Sequence, residues 1–389
     1  KLFQDVDSRY KFSLMTLSNQ PVSCGQFSFF LTRTAHLDDD ARRFNLSPED
    51  IDLINPNTQT TPLFRTRIDA ELTKSIYGRV PILLDDKTSD SPLGVYYMRL
   101  VDSADHADYL RFAWEKRDAS WSVPLYEAKL FWAFDHRFCT FDGTERSDFV
   151  SGQPREMSLA EKSNAKVCAG ARYYVPQSLA QSLFAKYPDY KRPWLLVWRD
   201  VTNATNERTC ITTAIPRVVA TRKCPALGFS SNVSPALLLA NLNSIVLDYV
   251  ARQKIGGTSL SFYILKQLPV LPPSAYSRIK IDFISHRVLE LIYTAWDMKP
   301  FADDMGYKGK PFRWDEDRRA LLRAELDAYY AKLYGLTRDE LRYILDPQDV
   351  YGQDFPGETF RVLKEKEIKK YGEYRTRRLV LEAWDRLGF

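Results

Sequence analysis

The stretch Trp194 to Pro216, WLLVWRDVTNATNERTCITTAIP, decides how the rest of the chain is read. Trp194-Leu195-Leu196-Val197-Trp198 has the composition of a strand buried on both faces, and Cys210 to Ile215 is rich in β-branched residues before Pro216 stops it. Between them lies a polar segment that cannot form a core. Arg199, Asn203, Asn206, Glu207 and Arg208, with Thr202, Thr205 and Thr209, offer forked cationic donors, two-way amides and hydroxyls, the groups that bond base edges and phosphates. That outlines a recognition surface. The plainer alternative is a polar hairpin whose Asn and Thr side chains bond their own backbone as turn residues do.

Composition bounds what the surroundings can be. With 389 residues, 44% hydrophobic and 27% charged, the chain has the make-up of a globular protein of two or three domains. A net charge of +5 is mild, so an anionic partner must be met by a local basic surface. The five cysteines have no metal-ligand spacing, and their odd number argues against a disulfide framework, which points to a reducing cytoplasm. No apolar run approaches the roughly 20 residues that span a bilayer. The chain opens on Lys1 without a signal pattern and reads as the later part of a longer polypeptide.

Upstream of the central stretch, Tyr10 to Leu17 and Gln26 to Leu31 read as a hairpin. Ser47-Pro48-Glu49-Asp50 predicts a helix to about Ile54, and Thr66 with Asp69 predicts a second one ending at Gly78. Val95 to Val101 reads as a strand. In Pro124 to Phe141 the spacing of Tyr126, Leu130, Phe131 and Phe134 suggests a helix that gives way to a strand after Asp135. Within it, Glu127 and Lys129, with Asp118 upstream, have the spacing that metal-dependent nucleases use on one strand. Lys129, His136 and Arg137 form a second group able to face nucleic acid. Asp142 to Asn164 reads as a long loop, and Pro176 to Tyr187 as a short helix.

Downstream, Ser234-Pro235 predicts one helix carrying Leu238, Leu242, Ile245, Val246, Tyr249 and Val250 as far as Gly256-Gly257. Thr258 to Pro273 reads as an extended, proline-closed linker. Beyond it the chain turns helical: Ser285 to Trp296, Asp315 to Tyr334, and a helix capped by Thr337 and Glu340. Glu358 to Leu387 interleaves Lys364, Lys366, Lys369, Lys370, Arg375, Arg377 and Arg378 with acids, as a solvated helix or a phosphate-contacting flank. Glycine-rich phosphate loops, zinc-ligand spacing and an NPPY base pocket are absent; Ile54-Asn55-Pro56-Asn57 lacks the aromatic.

Six segments carry a resemblance: SRYKFSLMTL (Ser8–Leu17), INPNTQTTPLFRTRIDAELTKSIY (Ile54–Tyr77), LYEAKLFWAFDHRF (Leu125–Phe138), RDVTNATNERT (Arg199–Thr209), GGTSLSFYILKQLPVLPP (Gly256–Pro273) and FPGETFRVLKEKEIKKYGEYRTRRLVLEAW (Phe355–Trp384). In this order they resemble the C-terminal part of large bacterial adenine-N6 DNA methyltransferases of the type IIG restriction-modification and phage-defence classes, with their TaqI-like specificity region. The resemblance implies target recognition on duplex DNA here. It also implies S-adenosylmethionine and methyl transfer in an N-terminal catalytic domain of the same polypeptide, and other defence-system proteins as further partners. The expected fold is α+β: a linking α/β region (residues 1–113), a β-rich recognition core (114–273) and a helical C-terminal domain (274–389). Arg199, Asn203, Asn206 and Arg208 are the first candidates for DNA contact, with Lys129, His136 and Arg137 second. A metal-dependent nuclease using Asp118, Glu127 and Lys129, and a non-enzymatic scaffold of a defence complex, are the alternatives.

Overall fold

The computed structural model describes residues 12–89, 91–115, 120–230, 233–357 and 359–388. Its strands are β1 (Gly25–Phe27), β2 (Phe44–Leu46), β3 (Tyr96–Met98), β4 (Arg111–Phe112), β5 (Val123–Tyr126), β6 (Cys139–Thr140), β7 (Arg155–Glu156), β8 (Tyr173–Val175), β9 (Trp194–Trp198), β10 (Thr212–Pro216), β11 (Val219–Ala220) and β12 (Ala226–Gly228). From Arg278 onward every regular element described is helical, so the fold is α+β with a helical C-terminal part.

The apolar run Trp194–Trp198 becomes the inner strand of a sheet ordered β10-β9-β12-β3, and all five of its residues are buried. β10 pairs with it antiparallel, Thr212 opposite Trp198 and Pro216 opposite Trp194. Both indoles find acceptors, as buried indoles must: Trp198 Nε1 donates to the Leu260 carbonyl at 2.8 Å and Trp194 Nε1 to Asp304 at 3.0 Å. A second sheet, β11-β5-β8-β4, lies beside it and includes a parallel pair, β11 with β5.

Helix starts follow their caps. Helices Pro48–Ile54, Arg67–Tyr77 and Arg338–Leu345 begin where Ser47, Thr66 and Thr337 accept from the backbone three residues on, with Asp50, Asp69 and Glu340 bonding back. The helix expected from Ser234 to the glycine pair is in fact two, Pro235–Asn243 and Ile245–Lys254, broken at Ser244. The break satisfies side chains and backbone at once. Asn243 exchanges two hydrogen bonds with the Thr212 backbone at 3.0 Å each, Ser244 caps the second helix through the Leu247 N–H, and Asp327 accepts from the Ile245 N–H at 2.8 Å.

Four other expectations change. Of the N-terminal hairpin, Tyr10 and Lys11 lie outside the described residues, Phe12 to Leu17 is exposed and forms no strand, and Gln26-Phe27 pairs instead with β2, where the Phe27 ring packs on Phe44. Val123–Tyr126 is a strand and not a helix, because β8 and β11 supply backbone partners on both sides; a single 3-10 turn follows at Ala128–Leu130. Residues 142–164 are not a bare loop. They carry helices Arg146–Ser151 and Leu159–Ser163, the first anchored by buried Phe149 and the second by a Ser158/Glu161 capping box. The segment expected to run extended from Thr258 to Pro273 as a linker carries helix Phe262–Leu265 and then packs into the fold, with Leu268, Val270 and Leu271 buried, the Leu83 N–H donating to the Leu268 carbonyl and the Val270 N–H to the Pro81 carbonyl.

Candidate nucleic-acid interface

The polar segment between β9 and β10 folds down onto helix Ile245–Lys254. Asp248, fully buried, accepts from Arg208 Nε (3.0 Å), Arg252 Nε (2.7 Å) and the backbone N–H groups of Thr209 (2.8 Å) and Cys210 (3.1 Å). Arg252 then directs its remaining donors to carbonyls: Ala204 and Thr359 from Nη1, Asn206 and Glu207 from Nη2. A buried carboxylate shared by two guanidiniums is tolerable because four donors converge on it, three at Oδ2 and one at Oδ1. The loop is thereby held through its backbone.

The candidate residues separate accordingly. Arg208 is largely buried on Asp248, and its Nη2 also reaches the Asn243 carbonyl. Arg199 packs over the Trp132 ring at 4.7 Å and donates to the Phe131 carbonyl; burial pushes its pKa down to about 10. Asn203 makes a turn of its own kind, its Oδ1 accepting from the Thr205 N–H (2.8 Å) and hydroxyl (2.7 Å). Asn206 turns its backbone carbonyl inward to Arg252, and its carboxamide makes no hydrogen bond among the described residues. Glu207 pairs with Lys366 at 2.7 Å across to helix Arg361–Tyr371.

In the second group, His136 is buried with Nε2 3.0 Å from Asp297. Arg137, wholly buried, donates to the carbonyls of Asn164, Val167, Lys162 and Thr294. Together they tie the β-rich part to the helical part. Beside them, burial works to raise the Asp135 carboxyl, but Lys162 at 2.8 Å and then Arg319 outweigh it and hold it below the ordinary range.

Lys129 is the exposed member of the group. Its Nζ donates to the Gly152 carbonyl, next to Arg172, which bonds the Val150 carbonyl, so both cations sit at the C-terminal end of helix Arg146–Ser151. Glu127 stands two residues before Lys129, its Oε2 without a hydrogen bond among the described residues and its carboxyl pushed up by burial, which Arg172 and Lys129 partly oppose. Asp118, the second carboxylate of the nuclease pattern, lies outside the described residues; among those described, no group of three or more metal-ligating side chains comes together.

Sequence reasoning passed over a second feature, on the sheet β11-β5-β8-β4. Trp114, 44% exposed, stacks on Phe112 at 4.6 Å, and Phe112 stacks on Tyr173 at 4.7 Å. Guanidiniums flank the rings: Arg146 over Trp114 at 5.1 Å, Arg172 over Tyr173 at 4.8 Å, and Arg111 over Trp121 at 4.7 Å. The signal in the sequence is the alternation Arg111-Phe112-Ala113-Trp114 followed by Trp121. Asp248 and Arg252 were also legible in principle, as an acid and a base four apart in the run Ile245 to Arg252, which is otherwise apolar.

No family model matches this chain, and no curated protein matches it. Among the described residues, no helix is long and apolar enough to cross a membrane. All five cysteines are unpaired.

Proposed function

We propose that this chain is a sequence-specific duplex DNA recognition module that positions a target adenine for an N-terminal methyltransferase domain of the same polypeptide, in a cytoplasmic restriction-modification or phage-defence protein. In this reading S-adenosylmethionine and the methyl transfer belong to that other domain. The observation that supports it best is the row Arg146, Trp114, Phe112, Tyr173, Arg172 with Arg111 on Trp121. A guanidinium laid on a ring loses little further freedom on binding and still presents N–H edges outward, to phosphate or to a groove edge. Lys129 extends the same face, and it lies within the segments that carry the resemblance.

Of the hairpin candidates, Asn206 and Thr205 are the groups that touch DNA. Arg199, Asn203, Arg208, His136 and Arg137 hold the frame that presents them.

The test is selection from a randomised duplex pool without metal at two salt concentrations. Enrichment of one short motif is expected, with Arg111→Gln and Arg146→Gln each lowering affinity and reducing the slope of log K against log salt by about 0.9 for each phosphate no longer neutralised. Undiminished affinity in the double variant refutes the assignment of this face. Magnesium-dependent cleavage that vanishes on Glu127→Gln establishes the nuclease alternative, and absence of binding at either salt favours a protein-interaction scaffold.

A further inference from the structure

A cavity of about 400 Å3 lies between the hairpin loop, residues 132–138 and 156–162, helix Glu316–Leu333, and the last two helices, Arg361–Tyr371 and Arg375–Arg386. That is within the range of small-ligand sites. Most of the charges around it are answered by neighbours: Lys366 by Glu207 at 2.7 Å, Lys162 by Asp135 at 2.8 Å, Arg375 by Asp317 at 2.8 Å. Arg319 donates to the carbonyls of Leu291 and Phe134.

Arg323 is different. It lines the cavity from helix Glu316–Leu333, partly buried, and among the described residues its guanidinium makes no hydrogen bond and no ion pair within 4.0 Å. The nearby charge of Arg208 works against its own, after burial, and Asp327, Glu207 and Asp135 only partly offset this. Arg208 also lines the cavity; its Nε and Nη2 are used inward, on Asp248 and Asn243, which leaves Nη1 as a spare donor. A third donor is idle in the same wall: Trp314, 7% exposed, has no acceptor for Nε1 among the described residues. A buried indole donor left idle and two guanidiniums close together are costly, and an oxyanion with several acceptor oxygens removes both costs at once.

We propose that this cavity is an anion site that takes a phosphoryl group, with Arg323 as its principal ligand and Arg208 and Trp314 as supporting donors. The phosphoryl group has two sources of the same chemistry, the backbone of bound DNA or a free phosphorylated small molecule. The site is independent of the exposed row on the β11-β5-β8-β4 sheet, and its test stands apart from the selection for DNA motifs.

The experiment is thermal unfolding of the chain at matched ionic strength in chloride, inorganic phosphate and pyrophosphate, for the wild type, Arg323→Gln and Arg323→Lys. The wild-type midpoint is expected to rise saturably with phosphate, and at lower concentration with pyrophosphate. Because Arg323 makes no hydrogen bond or ion pair among the described residues, Arg323→Gln is expected to melt no lower than wild type in chloride, with an unchanged circular dichroism spectrum, and to lose the response to both anions. Arg323→Lys keeps the charge without the fork and is expected to respond only weakly. No rise in the wild type, or an equal rise in Arg323→Gln, means an adventitious ion only and overturns the proposal. A competition arm separates the sources: pyrophosphate displacing duplex DNA from the wild type assigns the site to the DNA backbone, and DNA binding indifferent to pyrophosphate, with the thermal response intact, assigns it to a free phosphorylated ligand. Loss of motif selection with an intact phosphate response sinks the DNA reading and leaves the anion site standing.

Discussion

Replacing Asp248 with Asn puts the hairpin's anchoring to a direct test. The carboxylate is fully buried and receives four donors, two of them from the guanidiniums of Arg208 and Arg252. The amide is nearly isosteric, so no cavity opens, but it keeps one acceptor oxygen and turns an NH2 group towards donors. Breaking a buried ion pair by removing one partner costs about 3 to 5 kcal/mol, since a charge is left behind in a poor solvent. Here two guanidiniums lose their shared partner, although Arg252 keeps its carbonyl acceptors and Arg208 keeps Asn243. A loss of about 4 kcal/mol follows, roughly a thousandfold in the folding equilibrium and a large part of the 5 to 15 kcal/mol that domains possess. Urea unfolding followed by the fluorescence of buried Trp194 and Trp198 reads the first quantity, as a lower midpoint at unchanged slope. Hydrogen exchange at the Thr209 and Cys210 amides reads the second, as lost protection confined at first to the loop. A shift below about 1 kcal/mol with both amides still protected would refute the idea that one carboxylate holds this loop.

Two further outcomes are expected. Burial raises the Asp327 carboxyl from 3.8 to about 6, against the pull of Arg208 and the Ile245 N–H. Its folded pKa lies above the unfolded one, so its contribution is full below about pH 4 and is lost as pH rises through 6. Wild type should therefore gain on Asp327→Asn by on the order of 3 kcal/mol at pH 4 relative to pH 7, and parallel pH profiles would contradict this. Thr337→Ala removes one arm of the capping box on helix Arg338–Leu345, where Thr337 accepts from the Glu340 N–H, and should lower stability by about 1 kcal/mol in the same urea assay; no measurable change would count against the cap.

Local chemistry was legible wherever it was decided locally. Ser47-Pro48, Thr66 with Asp69, and Thr337 with Glu340 marked helix starts to the residue, because a cap involves only the first turn. The Trp194–Trp198 and Thr212–Pro216 strands were legible from their apolar and β-branched runs. What failed was decided at a distance. Helical spacing at Tyr126, Leu130 and Phe134 lost to backbone pairing with β8 and β11, residues some fifty and ninety positions away. The break at Ser244 depends on Asn243 reaching Thr212, and nothing in the apolar periodicity of Leu238 to Val250 announces it. The same holds for the candidate site. The polar composition of 199–209 is plain in the sequence, but whether each side chain points to solvent or to the protein is set by Asp248 and Arg252, which lie outside the segment. Exposed stacking at Trp114 depends in turn on strand pairing between Phe112 and Tyr173.

Arg252 grips the hairpin by the carbonyls of Ala204, Asn206 and Glu207, and carbonyls are the one feature every amino acid supplies. The side chains at 204 and 206 are therefore uncoupled from the path of the main chain that carries them, while Asn203 keeps its turn with the Thr205 N–H. Such a loop can change its lettering without changing its shape: a mount with interchangeable fittings, in which single substitutions change the groups presented while the architecture beneath stays as it is.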